Sequence, residues 1–116
     1  MGKLENRVAI VTGGAQGIGE AICRRLADDG ATVVVADING EGSAAVATGL
    51  SGSAVAFQVD VGDADEVAAL FAMVQEDLGH LDILVNNAAI VPFTPWEDVD
   101  FEEWRRIQRV NLDGVF

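Results

Sequence analysis

The stretch that decides the fold is "VTGGAQGIGE", residues 11–20, in which four glycines follow an apolar, β-branched run. Residues 7–13, "RVAIVTG", are typical of a short buried parallel strand that ends at a glycine. A sharp turn into a helix after this strand would leave backbone N–H groups and a helix N-terminus facing outward at the glycines. Such a site favours a pyrophosphate, because unpaired N–H groups and the positive helix end attract anions.

Other glycine motifs fit these residues less well. A Walker loop requires Lys-Ser or Lys-Thr after its last glycine, whereas Glu20 follows Gly19 here, which disfavours a phosphotransferase. The common dinucleotide fingerprint Gly-x-Gly-x-x-Gly also fails, since Ala15 and Ile18 stand where it needs glycine when Gly13 is its first. A structural turn without a ligand remains an alternative for the loop taken alone.

Strand-like and helix-like segments alternate on both sides of the loop. Strands are predicted at 7–13, 31–38, 53–61 and 81–88, and helices at 17–29, 40–49, 64–78 and 101–111. This alternation predicts an α/β fold with a doubly wound, Rossmann-like parallel sheet and the strand order 3-2-1-4. The whole of 1–116 is predicted to be one dinucleotide-binding domain.

Three helices have a predicted buried face, and in the one at 101–111 the inward residues are Trp104, Ile107 and Val110. In the first, four apolar residues fall on one face at spacings of three and four: Ile18, Ala21, Ile22 and Leu26. In the third, Asp63 and Glu66 form a capping pair, Gly79 ends the helix, and five residues face inward: Val67, Leu70, Phe71, Val74 and Leu78.

Asp37 ends the second predicted strand, 18 residues after Gly19. This is close to the spacing of roughly 20 residues at which an acidic side chain reaches the ribose hydroxyls of a bound dinucleotide. A carboxylate there would accept hydrogen bonds from the 2′- and 3′-hydroxyls and repel a 2′-phosphate. The sequence therefore predicts NAD in preference to NADP.

Composition excludes several classes of function. Nineteen acidic against seven basic residues give a net charge of −12, which opposes binding to nucleic acid and to anionic membranes. The longest apolar run is too short to span a bilayer, and no metal-ligand cluster stands out. A single cysteine, Cys23, permits no internal disulfide, so a cytoplasmic protein is predicted.

Five motifs occur in the order found in one family. They are "TGGAQGIG" (12–19), Asp37, "DV" (60–61), "NNAA" (86–89) and "VNLDGVF" (110–116). With them the chain resembles the classical short-chain dehydrogenase/reductase family along its whole length. The resemblance implies a cofactor site in which the pyrophosphate is lined by Gly13, Gln16, Gly17, Ile18 and Gly19, the adenosine by Asp37, Ile38, Asp60 and Val61, and the inner ribose by Asn87 and Ala88. An equally weighted alternative is that Asn86 and Asn87 satisfy backbone groups at the end of the strand.

The same resemblance assigns a catalytic role to Asn111, which matches the asparagine that helps to hold a water in the family's proton relay. Two departures accompany it. Ala89 replaces the usual glycine after "NNA", and the sequence ends at Phe116, whereas family members continue to a serine and a Tyr-x-x-x-Lys pair. The sequence has no tyrosine. The chain is therefore predicted to be the N-terminal, cofactor-binding half of a longer fold, inactive by itself.

Two functions follow as expectations. The first is the NAD-binding portion of an oxidoreductase that interconverts a small-molecule alcohol and a carbonyl by hydride transfer, with family members commonly forming homo-tetramers. The alternative is a non-catalytic NAD-binding module, or a truncated subunit that acts through binding or association. The residues do not identify the substrate.

Overall fold

The computed structural model of the chain describes residues 3–87. Its elements in chain order are β1 (Val8–Thr12), α1 (Gly17–Asp28), β2 (Thr32–Asp37), α2 (Gly40–Gly49), β3 (Ala54–Gln58), α3 (Ala64–Met73) with a following π-helical turn (Val74–Leu78), and β4 (Ile83–Val85). The predicted helix at 101–111 lies outside the described residues.

The four strands form one parallel sheet in the order β3-β2-β1-β4. Central strand β1 is buried along its whole length, as expected of a parallel strand with helices on both faces. The predicted α/β fold and strand order 3-2-1-4 are confirmed.

Each face of the sheet has its own apolar core. On one face, α1 and α2 cover the strands, and Cys23, Ala27 and Val46 pack with Val33 and Val35. On the other face, Leu70 and Val74 pack with Ile10, Val34 and Ala36. Alternate residues of β2 thus serve opposite cores, because successive strand side chains point to opposite faces. The sheet is doubly wound.

The predicted buried face of α1 is partly wrong. Gly19, Cys23 and Ala27 are buried, whereas Ala21 is exposed and Ile18 retains 74% of its exposure. Ile22 and Leu26 only flank the core. The buried row begins at Gly19, which lies against the backbone of Gly13, and continues one turn at a time through Cys23 and Ala27.

At the start of α3, one member of the predicted capping pair, Asp63, caps the helix as expected. The Oδ1 atom of Asp63 accepts hydrogen bonds from the N–H groups of Asp65 (2.9 Å) and Glu66 (3.2 Å). The Glu66 side chain, however, accepts from the N–H of Asp60 at 3.1 Å rather than from Asp63. Glu66 therefore fixes the turn after β3.

The remainder of that helix also differs in detail. Regular α-helix ends at Met73, and the π-helical turn carries the chain to Gly79, whose φ of 86° ends the helix as predicted. Phe71, predicted to face inward, is 39% exposed. Leu70 and Val74 supply the buried contacts of this segment.

Candidate cofactor-binding site

The glycine-rich loop, defined here as residues 13–17, joins the end of β1 to the start of α1. Gly13 (φ 69°) and Gly17 (φ 60°) have left-handed backbones that favour glycine. Among the described residues, no side chain caps the first turn of α1, and apart from its chain neighbours and the nearby backbone of its own helix, nothing lies within 4 Å of where a Cβ on Gly17 would stand. The loop therefore leaves a helix N-terminus and open space together, which fits a pyrophosphate.

Gly19 allows the loop to close against α1. A Cβ atom there would collide with the carbonyl oxygen of Gly13 and lie 2.6 Å from Nδ2 of Asn87. Only a residue without a side chain permits this approach.

Asp37, at the end of β2, contacts the loop directly. Its Oδ2 accepts a hydrogen bond from the N–H of Ala15 at 3.0 Å, and its Oδ1 accepts from the N–H of Asn39 at 3.0 Å. The carboxylate is half-buried. The acid predicted from its spacing thus lies beside the glycine-rich loop.

Asn87 and Thr12 hold the loop from the β4 side. The N–H of Asn87 donates to Oγ1 of Thr12 at 3.0 Å, and the Thr12 hydroxyl donates to the carbonyl of Val85 at 3.2 Å. The Asn87 side chain donates through Nδ2 to the carbonyl of Gly13 at 3.2 Å. Its amide group therefore has a scaffold role, one of the two alternatives raised by the sequence.

Asp60 and Val61 follow β3 next to Asp37. The N–H of Val59 donates to the carbonyl of Asp37 at 2.9 Å, so Asp60, the next residue, lies beside the end of β2. Oδ1 of Asp60 accepts from the N–H of Gly62 at 2.8 Å, which holds a tight turn. Because carboxyl ends of parallel strands share one edge, this turn lies at the same edge as the loop.

Two large apolar side chains at this edge are exposed. Ile18 follows the glycine-rich loop and Ile38 follows Asp37, with 74% and 65% of their respective surfaces accessible. Neither belongs to the apolar cores. They offer contact surface to a ligand with an apolar ring.

Cys23 lies beneath the loop and takes no part in its surface. Its Sγ would stand 3.0 Å from a Cβ on Gly14, and the side chain is fully buried. Burial first, and then the negative charge of Glu20, raise the pKa of the thiol to about 11, although the positive charge of Arg24 opposes the shift. A thiol with this pKa is protonated at neutral pH and is a poor nucleophile.

The structure therefore brings ten predicted residues to one edge of the sheet: Gly13, Gln16, Gly17, Ile18, Gly19, Asp37, Ile38, Asp60, Val61 and Asn87. Ala88 and Asn111 lie outside the described residues. Sequence reasoning did not single out Thr12, the N–H of Ala15 or Asn39. A polar residue in an otherwise apolar buried strand was the available signal for Thr12.

Within residues 3–87, no cluster of three potential metal ligands occurs, and no helix has the length and apolar character needed to cross a bilayer.

The short chain dehydrogenase family model matches residues 7–116. The chain belongs to the short-chain dehydrogenase family. This is an oxidoreductase family whose Rossmann fold binds NAD or NADP. The glycine-rich loop and Asp37 lie within the matched region.

Individual relatives agree with the family assignment. An uncharacterized oxidoreductase of Methylorubrum extorquens is 44% identical over 99% of this chain and 48% of its own length. The D-threitol dehydrogenase of Mycolicibacterium smegmatis is 39% identical over 98% of this chain and 45% of its own. The chain spans about half the length of these short-chain dehydrogenases.

A solved structure has the same architecture. The 3-ketoacyl-(acyl-carrier-protein) reductase from Brucella melitensis, crystallised with NADH, is 38% identical and superposes with a TM-score of 0.91. The match covers 97% of this chain and 47% of the reductase.

Proposed function

We propose that the chain is the NAD-binding portion of a short-chain oxidoreductase that interconverts an alcohol and a carbonyl. The observation that carries this proposal is the contact between Asp37 and Ala15, which places a carboxylate beside a glycine-rich loop at a helix N-terminus. When bound, the nicotinamide would give or accept the hydride. The residues of this chain would bind and orient it.

Each strand end would hold one part of the dinucleotide. The loop residues and the start of α1, from Gly13 to Gly19, would surround the pyrophosphate, where helix N–H groups favour negative charge. Asp37 and Ile38 would contact the adenosine ribose, and Asp60 with Val61 the adenine. Roles for Asn87 and Ala88 at the inner ribose, and for Asn111 in a proton relay, stay predictions.

NAD is the proposed cofactor because of charge. The 2′-phosphate of NADP would stand close to the Asp37 carboxylate, and two negative groups in contact repel each other. The ribose hydroxyls of NAD instead donate hydrogen bonds to an ionised acceptor, a strong class of hydrogen bond. Within the described residues, no basic side chain forms an ion pair with Asp37.

The proposed substrate class is small alcohols and their carbonyl counterparts. The name of the relative from Mycolicibacterium smegmatis identifies a polyol, D-threitol, as the compound on which that enzyme acts. We also propose that the complete enzyme is a homo-oligomer without nucleic-acid or membrane partners. The charge of −12 supports the exclusion of polyanions.

Calorimetric titration with NAD and with NADP tests the cofactor assignment. We expect NAD to bind more tightly than NADP, and Asp37→Ala to weaken NAD binding by about tenfold or more, because hydrogen bonds to a charged group are lost. The same substitution should narrow the preference for NAD over NADP.

The control is Asp77→Ala, which removes the same charge from an exposed position in the π-helical turn after α3. It should leave NAD affinity unchanged. Binding of NADP at least as tightly as NAD would contradict the cofactor choice, and absence of binding by both would contradict the proposed function.

A further inference from the structure

We propose that Asp37 is a positioning residue for the glycine-rich loop, which it holds in its binding geometry before any nucleotide is present. This inference rests on the proposed function, since it concerns how the same site is built. It assigns Asp37 a second role beside contact with a ribose.

Both carboxylate oxygens of Asp37 already have backbone partners. Oδ2 accepts from Ala15, in the middle of the loop, and Oδ1 accepts from Asn39, just before α2. One carboxylate therefore joins the glycine-rich loop to the start of α2. These partners are 22 residues and two residues away from Asp37 in the sequence, respectively.

The two ends of the loop are fixed by other contacts. The carbonyl of Gly13 accepts from Nδ2 of Asn87, and the N–H of Gly14 donates to the carbonyl of Ala36 at 3.3 Å. Asp37 supplies a side-chain hydrogen bond to the loop's middle. Loss of this carboxylate removes the acceptor that holds the N–H of Ala15, and with it the link between the loop's middle and the end of β2.

Packing confirms how close the loop and α2 are. A Cβ atom on Gly42, in the first turn of α2, would lie 3.0 Å from the Cβ of Ala15. Asn39 caps the same turn, because its Oδ1 accepts from the N–H of Gly42 at 2.9 Å. The Asp37 carboxylate thus lies at the junction of three backbone segments.

The Asp37 carboxylate has enough acceptor sites to hold the loop and to bind the ribose at the same time. An ionised carboxylate has about four acceptor sites, and two of those on Asp37 are used by backbone N–H groups. The remainder can accept the ribose hydroxyls without release of the loop. An asparagine has one acceptor oxygen and would place its NH₂ group against the other N–H donor.

The first arm of the test needs no ligand. Amide hydrogen exchange is measured by NMR at Ala15 and Asn39 in the unsubstituted chain, in Asp37→Ala and in Asp63→Ala. Asp37→Ala should accelerate exchange at Ala15 by about tenfold or more, whereas Asp63→Ala should not change it. Unchanged protection of Ala15 in a folded Asp37→Ala chain would overturn the proposal.

Asp37→Asn carries this arm if Asp37→Ala does not fold. A single amide oxygen can keep only one of the two N–H partners, so either Ala15 or Asn39 should lose its protection. Full protection of both amides would overturn the proposal.

The second arm separates the loop from the ribose. NAD is compared with an NAD analogue that lacks both hydroxyls of the adenosine ribose. If Asp37 positions the loop, Asp37→Ala weakens binding of the analogue as well, by about tenfold, because the pyrophosphate site has lost its geometry. An analogue affinity that the substitution leaves unchanged would mean that Asp37 acts on the hydroxyls alone and would overturn the proposal.

The two arms distinguish this inference from the proposed function. If the unsubstituted chain binds neither nucleotide, the proposed function fails, and amide exchange still decides whether Asp37 holds the loop.

Discussion

A methyl group added at Gly19 would collide with the carbonyl oxygen of Gly13, which is itself held by Asn87. The colliding atom belongs to the backbone, so the conflict cannot be relieved by a change of side-chain rotamer. At Gly49, the last residue of α2, a methyl group would instead make ordinary contact with Arg24 at 3.8 Å. A glycine is therefore required at position 19 by the close backbone contact, whereas position 49 has room for a methyl group.

We predict that Gly19→Ala destabilises the chain by about 2 kcal/mol, because α1 must move away from the loop. It should also abolish detectable NAD binding. Urea unfolding and calorimetry measure the two effects. Gly49→Ala is the matched control and should be neutral or stabilising by up to about 1 kcal/mol. Equal behaviour of the two variants would contradict the assigned role of Gly19.

Spacing and residue type were enough to predict Asp37 at the correct strand end. They did not reveal that its oxygens accept hydrogen bonds from Ala15 and Asn39. Every residue except proline has a backbone N–H, so residue type does not show which of them is the donor. Likewise, the "NNA" motif placed Asn87 near the loop, but only the three-dimensional structure shows that its side chain is bonded to Gly13.

Among the helices, α1 shows where periodicity is insufficient. Its apolar spacing predicted Ile18 and Ala21 as buried, yet the small residues Gly19, Cys23 and Ala27 face the sheet. A helix that must approach the strand backbone closely buries its small side chains, and periodicity scores favour the large ones. The position of the strands and helices was predictable, whereas the rotation of α1 was not, because its closest approach to the loop is made by a glycine.

Cys23 provides a probe of this docked helix. We predict that its thiol reacts with a disulfide reagent at least about 100-fold more slowly in the native chain than in urea, because α1 must first leave the sheet. The raised pKa of the thiol, about 11, slows reaction further by keeping it protonated at neutral pH. Labelling followed by mass spectrometry measures both rates. Similar rates in the two conditions would show that α1 is not stably docked.

Across the whole molecule, the carboxyl ends and the amino ends of the parallel strands carry different polar side chains. The candidate site lies at the carboxyl ends of the strands, and Asp82 lies at their amino ends, just before β4. Oδ2 of Asp82 accepts from the N–H of Val8 at 2.8 Å and lies 3.0 Å from Nε2 of His80. Arg7 contacts its Oδ1 at 3.4 Å. Asp82 thereby joins β4 to the start of β1.

The hydrogen bond from Val8 is the largest effect on the pKa of Asp82 and lowers it. Burial opposes this shift, whereas the charge of His80 and the hydrogen bond and charge of Arg7 lower the pKa further. A carboxyl with a lower pKa in the folded state stabilises that state above its unfolded pKa. This contribution is lost as the pH falls through the lowered, folded value.

We therefore predict that Asp82→Asn lowers stability at pH 7 and that the difference from the unsubstituted chain shrinks once the pH falls below 3.8, the ordinary pKa of an aspartate. Urea unfolding at pH 7 and at pH 3 measures the difference in the free energy of unfolding. Asp77→Asn removes the same charge from an exposed position in the π-helical turn and serves as the control. A difference that stays constant between pH 7 and pH 3 would contradict the prediction.

The hydrogen bond between Asn87 and Thr12 joins residues that are 75 positions apart. A ribosome adds roughly 5–20 residues each second, so Asn87 is synthesised roughly 4–15 seconds after Thr12. During that interval the first strand, its loop and α1 can form, but the carbonyl of Gly13 has not met its amide partner. The glycine-rich loop therefore reaches its final geometry only after β4 has been translated and has joined the sheet.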